Sequence, residues 1–206
     1  MRHAFRFPLH IREAVRLHVR RAIAEVDPAR FNQEPAFAVA LLARLQGTAY
    51  QGADGSVVFR TTNIDSIGPG AAERWSGADM AITADIREGD LGISKAILIQ
   101  AKRGGLEELS GSERERLVGQ IESMRRLTRS PKVLLLRDRN GRSEPEVASG
   151  VRIAEGFPTE PVSLPDYFVR RVLTTLDGDT RPIFVAGVQQ STLRQLRVLA
   201  RVQTPG

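Results

Sequence analysis

The sequence predicts an α/β fold: a mixed β-sheet flanked by helices, with extra helices at the N- and C-terminal ends. Three observations carry this reading. Two helix-like stretches open the chain, with apolar residues at helical spacing. Three strand-like runs follow, over 57–64, 78–86 and 94–102. A capped helix then leads into the short apolar strand Val133-Leu134-Leu135-Leu136.

In order along the chain, 11–26 reads as a helix, with Ile11, Val15, Ala22 and Val26 near one face and Arg12, Arg16 and Arg20 off it. Asp27-Pro28 ends it. A second helix begins near Asn32–Pro35 and runs to Gln46, where Gly47 stops it. Gly68-Pro69-Gly70 is a loop, and Gly89-Asp90 is the turn between the second and third strands. Ser110 and Glu113 form a capping-box pattern, repeated at Ser112 and Glu115. The helix behind them carries Leu117, Ile121 and Met124 and runs to about Arg129, before Pro131. Residues 138–165 are rich in proline and read as loop, with Val151-Arg152-Ile153 as a possible edge strand. Two closing helices are expected over 165–176 and 190–202. The organisation expected is an N-terminal helical extension (1–31), a core (32–140), and a loop-rich segment with C-terminal helices packing on that core (141–206).

At 206 residues the chain can bury a full core. Cysteine is absent, which excludes disulfides and thiolate metal sites and fits a reducing, cytoplasmic compartment. The longest apolar run, Ala36–Ala43, is too short to span a bilayer, and no signal-peptide pattern opens the chain, so no membrane association is expected. A net charge of +6 suits a polyanionic partner, although charge alone would equally suit an acidic protein or a membrane surface. No Gly-Lys-Ser/Thr phosphate loop is present, and no histidine sits near a strand end to support a Ser-His-Asp arrangement. His10 and His18 read as packing or surface residues.

The candidate chemistry lies in Gly77-Ala78-Asp79 and Ile97-Leu98-Ile99-Gln100-Ala101-Lys102. Residues two apart in a strand share a face, so Gln100 and Lys102 project together. A hairpin folded about Gly89-Asp90 puts Asp79 opposite Gln100. A carboxylate, an amide and an ammonium then form one patch. Mg²⁺ takes oxygen ligands, usually one or two carboxylates with water and substrate. Asp79, the Gln100 amide oxygen and the Ala101 carbonyl are candidate ligands, and Lys102 can orient a water and offset charge on a phosphate. Of 30 basic residues only Lys95, Lys102 and Lys132 are lysines, so a position that keeps lysine asks for a compact ammonium.

A second acid is desirable. Glu34 aligns with Ala38, Leu41 and Leu45 on the inward helix face, or else merely charges a helix N-terminus. Glu73 is a further candidate, or a solvated loop residue. Gln120 is a candidate that could face the site or be structural. Arg103, Arg125, Arg126 and Arg129 are candidate phosphate contacts. Arg194, Arg197 and Arg201 form a stripe on the expected last helix, which is read as a solvated face. Trp75 is a loop anchor or a base-stacking residue.

The Asp79 strand followed by the Gln100-Ala101-Lys102-Arg103 strand, in the order helix, three strands, helix, strand, resembles the PD-(D/E)xK nuclease superfamily in its Gln-x-Lys variant. Mrr-like restriction enzymes and phage-defence nucleases are similar. The resemblance covers about 32–137. It implies a restriction-endonuclease-like core and Mg²⁺- or Mn²⁺-dependent cleavage of DNA, with Asp79 as metal ligand, Gln100 near the metal and Lys102 at the attacking water. It also implies a possible homodimer or a partner subunit in a defence complex. Ala78 stands where the superfamily's proline would be, Gln100 brings no charge, and the tyrosine that would follow Gln120 in RecB-like nucleases is replaced by Met124. The alternative is a catalytically inactive nucleic-acid-binding or protein-interaction module on the same fold.

Overall fold

The computed structural model describes residues 5–26, 34–62, 76–139, 142–174 and 176–203. Eight strands form one mixed sheet: β1 (Gly47–Gly52), β2 (Gly55–Thr62), β3 (Met80–Glu88), β4 (Leu91–Arg103), β5 (Lys132–Arg139), β6 (Arg142–Ser149), β7 (Val162–Ser163) and β8 (Arg194–Val202). Their spatial order is β1-β2-β8-β3-β4-β5-β6-β7. Neighbours are antiparallel except for β3 with β8 and β4 with β5, which are parallel. The expected α/β class, a mixed sheet flanked by helices, is what is found.

Strand β4 shows how the two faces divide. Ile97, Ile99 and Ala101 pack into one apolar cluster, and Ala96 and Leu98 into another, as the period-two pleat requires. The first face is covered by α1 (Leu9–Ala24), α2 (Glu34–Leu45), the short α5 (Leu164–Tyr167) and the π-helical turn Phe168–Val172. The second face is covered by α3 (Gly111–Arg125), α4 (Gly150–Ala154) and α6 (Pro182–Gln190). In α1 the buried residues are Ile11, Val15, Val19, Ala22 and Ile23, which is the helical stripe expected. The capping box forms at α3: Ser110 Oγ accepts from the Glu113 N–H, and Glu113 accepts from the Ser110 N–H at 2.9 Å.

The structure departs from expectation in several elements. The segment expected as a last helix is β8, inserted in the middle of the sheet between β2 and β3, so the expected arginine stripe is split, with Arg197 and Arg201 on one face and Arg194 on the other. Arg197 pairs there with Asp85 on β3, at 2.8 Å. Residues expected as loop form β6, and Val151-Arg152-Ile153 lies in α4 and not on an edge strand. Strand β1 and helix α6 were not anticipated. The helix expected over 165–176 is only the single turn α5 followed by the π turn. No helix among the described residues is long and apolar enough to cross a membrane.

Candidate active site

The β3–β4 hairpin turns at Gly89, whose φ of 56° is left-handed, as such a tight turn asks. Its ladder pairs Glu88 with Leu91 and ends at Met80 with Ile99. The Asp79 N–H still donates to the Ile99 carbonyl, at 3.0 Å. Asp79 therefore lies opposite Gln100, in the register that the turn position implied.

One step further, β3 has ended, and side chains take over the exposed backbone of β4. The Ala101 N–H donates to Asp79 Oδ2 at 2.7 Å. Gln100 Nε2 donates to the same carboxylate oxygen and, at 3.0 Å, to the Ala101 carbonyl. The carboxylate of Asp79 and the carbonyl of Ala101 thus converge on one point, held here by an amide nitrogen. All three residues are closed off: Asp79 is 7% exposed, Gln100 1% and Ala101 0%. Gln100 Oε1 is buried and has no hydrogen-bond partner. A buried acceptor left open in this way is costly and is a natural ligand for a hard cation.

Lys102 follows two residues along β4 on the Gln100 face, 7% exposed. Its charge reaches Glu113 at the N-terminus of α3. There the hydrogen bond from the Ser110 side chain, helped by the Ser110 backbone and more weakly by Lys102, holds the Glu113 carboxyl below the usual carboxylate range. Glu113 was legible as a cap but not as a neighbour of the site lysine; that follows from the short link, Leu106–Glu108 and on to Ser110, that returns α3 over the end of β4.

Asp79 is delivered by Gly77, whose φ is 72°. A Cβ there would lie 2.4 Å from the main-chain oxygen of Gln120, so the turn presses directly against α3. Ser76 Oγ accepts from the Ala78 N–H at 3.2 Å and fixes the turn from within. Gln120 is accordingly next to the site-bearing turn, and its Oε1 is a second buried acceptor without a partner.

The remaining candidates divide. Glu73 and Trp75 lie outside the described residues, as does the side chain of Glu34, whose backbone opens α2. Arg125 is engaged with Glu122 at 2.9 Å and Glu155 at 3.2 Å, bracing α3 against α4. Arg103, Arg126 and Arg129 are exposed. His18 bonds the Leu45 carbonyl at 2.8 Å and stacks on Phe59, and His10 meets Asp54 at 2.6 Å, both well away from the site in the fold's other layer. No group of three or more His, Cys, Asp or Glu residues converges among the described residues. A cation held here would draw on Asp79, the Gln100 amide oxygen and the Ala101 carbonyl, with water and substrate completing its shell.

Comparison with known proteins leaves these residues to speak for themselves: no family model, no curated protein and no solved structure matches the chain.

Proposed function

We propose that the protein is a Mg²⁺-dependent nuclease acting on DNA, of the PD-(D/E)xK type in its Gln-x-Lys form, and that it works in the cytoplasm as an anti-phage defence effector. The observation that carries this reading is the convergence of the Asp79 carboxylate and the Ala101 carbonyl on the Gln100 side chain, with Lys102 next on the same strand face. The orphaned Gln100 Oε1 supports it, because a cation would give that oxygen the partner it lacks. A net charge of +6 supports a polyanionic substrate.

A divalent cation bound here would polarise a phosphate oxygen and make a water more acidic. The chain's own residues do the rest. Asp79 supplies negative charge to hold the cation, and its bond from the Ala101 N–H fixes the carboxylate's orientation. Gln100, by flipping its amide, would bring its oxygen to the same point in place of the nitrogen. Lys102 offsets charge that develops on the phosphate and holds a water by hydrogen bonding. Arg103, next in the chain to Lys102, and Arg126, at the end of α3, would meet flanking phosphates.

A second reading is a nucleic-acid-binding module that does not cleave, favoured by the neutrality of Gln100. Incubating plasmid with the protein in Mg²⁺, Mn²⁺ or chelator separates the two. Cleavage that needs metal and is lost by about a hundredfold or more in Lys102→Met supports the nuclease. Salt-sensitive binding without cleavage in any metal supports the module.

A further inference from the structure

An apolar cavity of about 620 Å³ opens beside the proposed site, on the same face of the sheet. Its floor includes Leu98, which is two residues from Gln100 along β4 and shares its face. Ser76, three residues before Asp79, is on its wall. Leu127, Phe184, Val188 and Leu193 supply the apolar lining between the end of α3 and helix α6. Arg126 and Arg181 stand at its rim.

Arg181 is held rigidly. It bonds Asp179 through Nε at 3.0 Å and through its terminal nitrogen at 2.6 Å, and it donates to the Leu127 carbonyl at 2.5 Å. That fixes its guanidinium 5.7 Å from the ring centre of Phe184. A fixed guanidinium beside an aromatic ring makes a stacking platform for a flat, apolar-faced group. The polar side chains of the lining other than the two arginines are Ser76 and Ser191: Ser191 donates to the Val188 carbonyl and accepts from the Leu193 N–H, and the fully buried Ser76 accepts from the Ala78 N–H. The lining can stack a base and has little with which to read its edge.

We infer that this cavity receives an unstacked nucleobase next to the phosphate held at Asp79, Gln100 and Lys102. The preferred substrate is then single-stranded nucleic acid, or a duplex with an extruded base, bound without base identity. The inference rests on the nuclease reading of the neighbouring site and adds the state of the substrate to it.

Gly187 provides the test. It lines the cavity inside α6, and a Cβ at this position meets nothing within 4 Å. Gly187→Leu therefore places an apolar side chain in the open space along the cavity wall and narrows it, while suiting a helix better than glycine does. Binding is measured by fluorescence anisotropy in Ca²⁺, with a 12-nucleotide single strand, the same strand made abasic, and the duplex as probes. The wild type should prefer the normal single strand to the abasic one by about tenfold or more. Gly187→Leu should lose that preference and keep its affinity for the abasic strand. Equal affinity of the wild type for normal and abasic strands, or a preference that survives Gly187→Leu, overturns the base cavity while leaving the nuclease reading intact. Absence of binding to all three probes overturns both.

Discussion

Asp79 has two separable tasks, and substitutions can divide them. Its carboxylate completes the hydrogen bonding at the end of the β3–β4 ladder, and its charge is what a cation would need. Asp79→Ala leaves the Ala101 N–H without an acceptor in a fully buried position, and Gln100 keeps only its 3.0 Å bond to the Ala101 carbonyl. Each buried donor left open costs about 1–3 kcal/mol, and partial rescue of the amide brings the total to roughly 2–4 kcal/mol. For a chain of this size, that is a fall in Tm of about 5–15 °C. Asp79→Asn keeps an acceptor oxygen and forfeits mainly the charge assistance, about 1 kcal/mol. Its Tm should fall by only about 2–4 °C. The charge is tested by adding metal. A cation at ten times its dissociation constant stabilises the wild type by about 1.4 kcal/mol, which reads as a rise of about 3–6 °C. Both variants should lose that rise, and both should lose metal-dependent cleavage. Scanning calorimetry with and without Mn²⁺, beside a plasmid assay, measures all of this. An Asp79→Asn protein that keeps the metal-induced rise and still cleaves would refute the ligand assignment. An Asp79→Asn protein as unstable as Asp79→Ala would refute the hydrogen-bonding argument.

Three further outcomes are expected. Burial pushes the Lys95 ammonium down from 10.5 to about 7, opposed by Asp177. Between those values the unfolded chain holds a proton that the folded one releases, so stability rises as pH climbs from about 7 to about 10, by less than about 1.4 kcal/mol per pH unit because the carbonyls of Arg171, Thr174 and Asp177 favour the ammonium. Below pH 7 both states are protonated and the full cost of burying the charge remains. Urea titrations at pH 6 and pH 9 should show this gain in the wild type and its loss in Lys95→Met; an equal gain in the variant would remove Lys95 as the source. Gly77→Ala forces a left-handed residue to carry a Cβ against the Gln120 backbone, which costs about 1–2 kcal/mol for the conformation alone. It should reduce cleavage more than Gly111→Ala, whose Cβ meets nothing within 4 Å; equal losses would show that the turn does not position Asp79. Lys102→Arg keeps the charge in a place 7% exposed but adds bulk. It should behave like Lys102→Met in the cleavage assay, and wild-type rates in the arginine variant would show that charge alone suffices.

How far the sequence speaks depends on which periodicity a segment offers. The β3–β4 hairpin was legible because its turn carries Gly89-Asp90 between two apolar runs, and turn position fixes register. That single constraint also located the Asp79–Gln100 contact. Strand β8 was misread because its apolar residues satisfy two periods at once. Leu193, Leu196 and Ala200 lie at helical spacing, while Leu196, Val198, Ala200 and Val202 alternate as a strand does. The sheet decides in favour of the strand: those four face the α1–α2 cluster, and Gln195 is buried on the opposite side beneath the end of α6, donating to the Val188 carbonyl. Strand β6 hid behind Pro145, which reads as a breaker. It is tolerated because the pairing of β6 with the two-residue β7 covers only Glu146 and Val147. Strand β1 carries no apolar alternation, since it is an edge strand that buries little.

The scarcity of lysine was informative, though in a broader sense than the sequence suggested. All three lysines are buried, at 1%, 7% and 8% exposure for Lys95, Lys102 and Lys132. Lys95 donates to the carbonyls of Arg171, Thr174 and Asp177, closing the chain that leaves the π turn. Lys132 pairs with Asp177 at 3.0 Å. A guanidinium, with its wide planar fork, would not fit among three carbonyls beneath a sheet. Confinement therefore explains why lysine survives at 95 and 132 without any appeal to catalysis. The same confinement holds at 102, so the identity of the residue does not by itself assign it chemistry. What sets Lys102 apart is its place: the other two serve one connection on the α1–α2 side of the sheet, whereas Lys102 shares a strand face with Gln100, whose buried amide nitrogen meets both the Asp79 carboxylate and the Ala101 carbonyl. Register, more than composition, therefore distinguishes Lys102, and it is the register of β3 against β4 that substitutions at Asp79 and Lys102 put to the test.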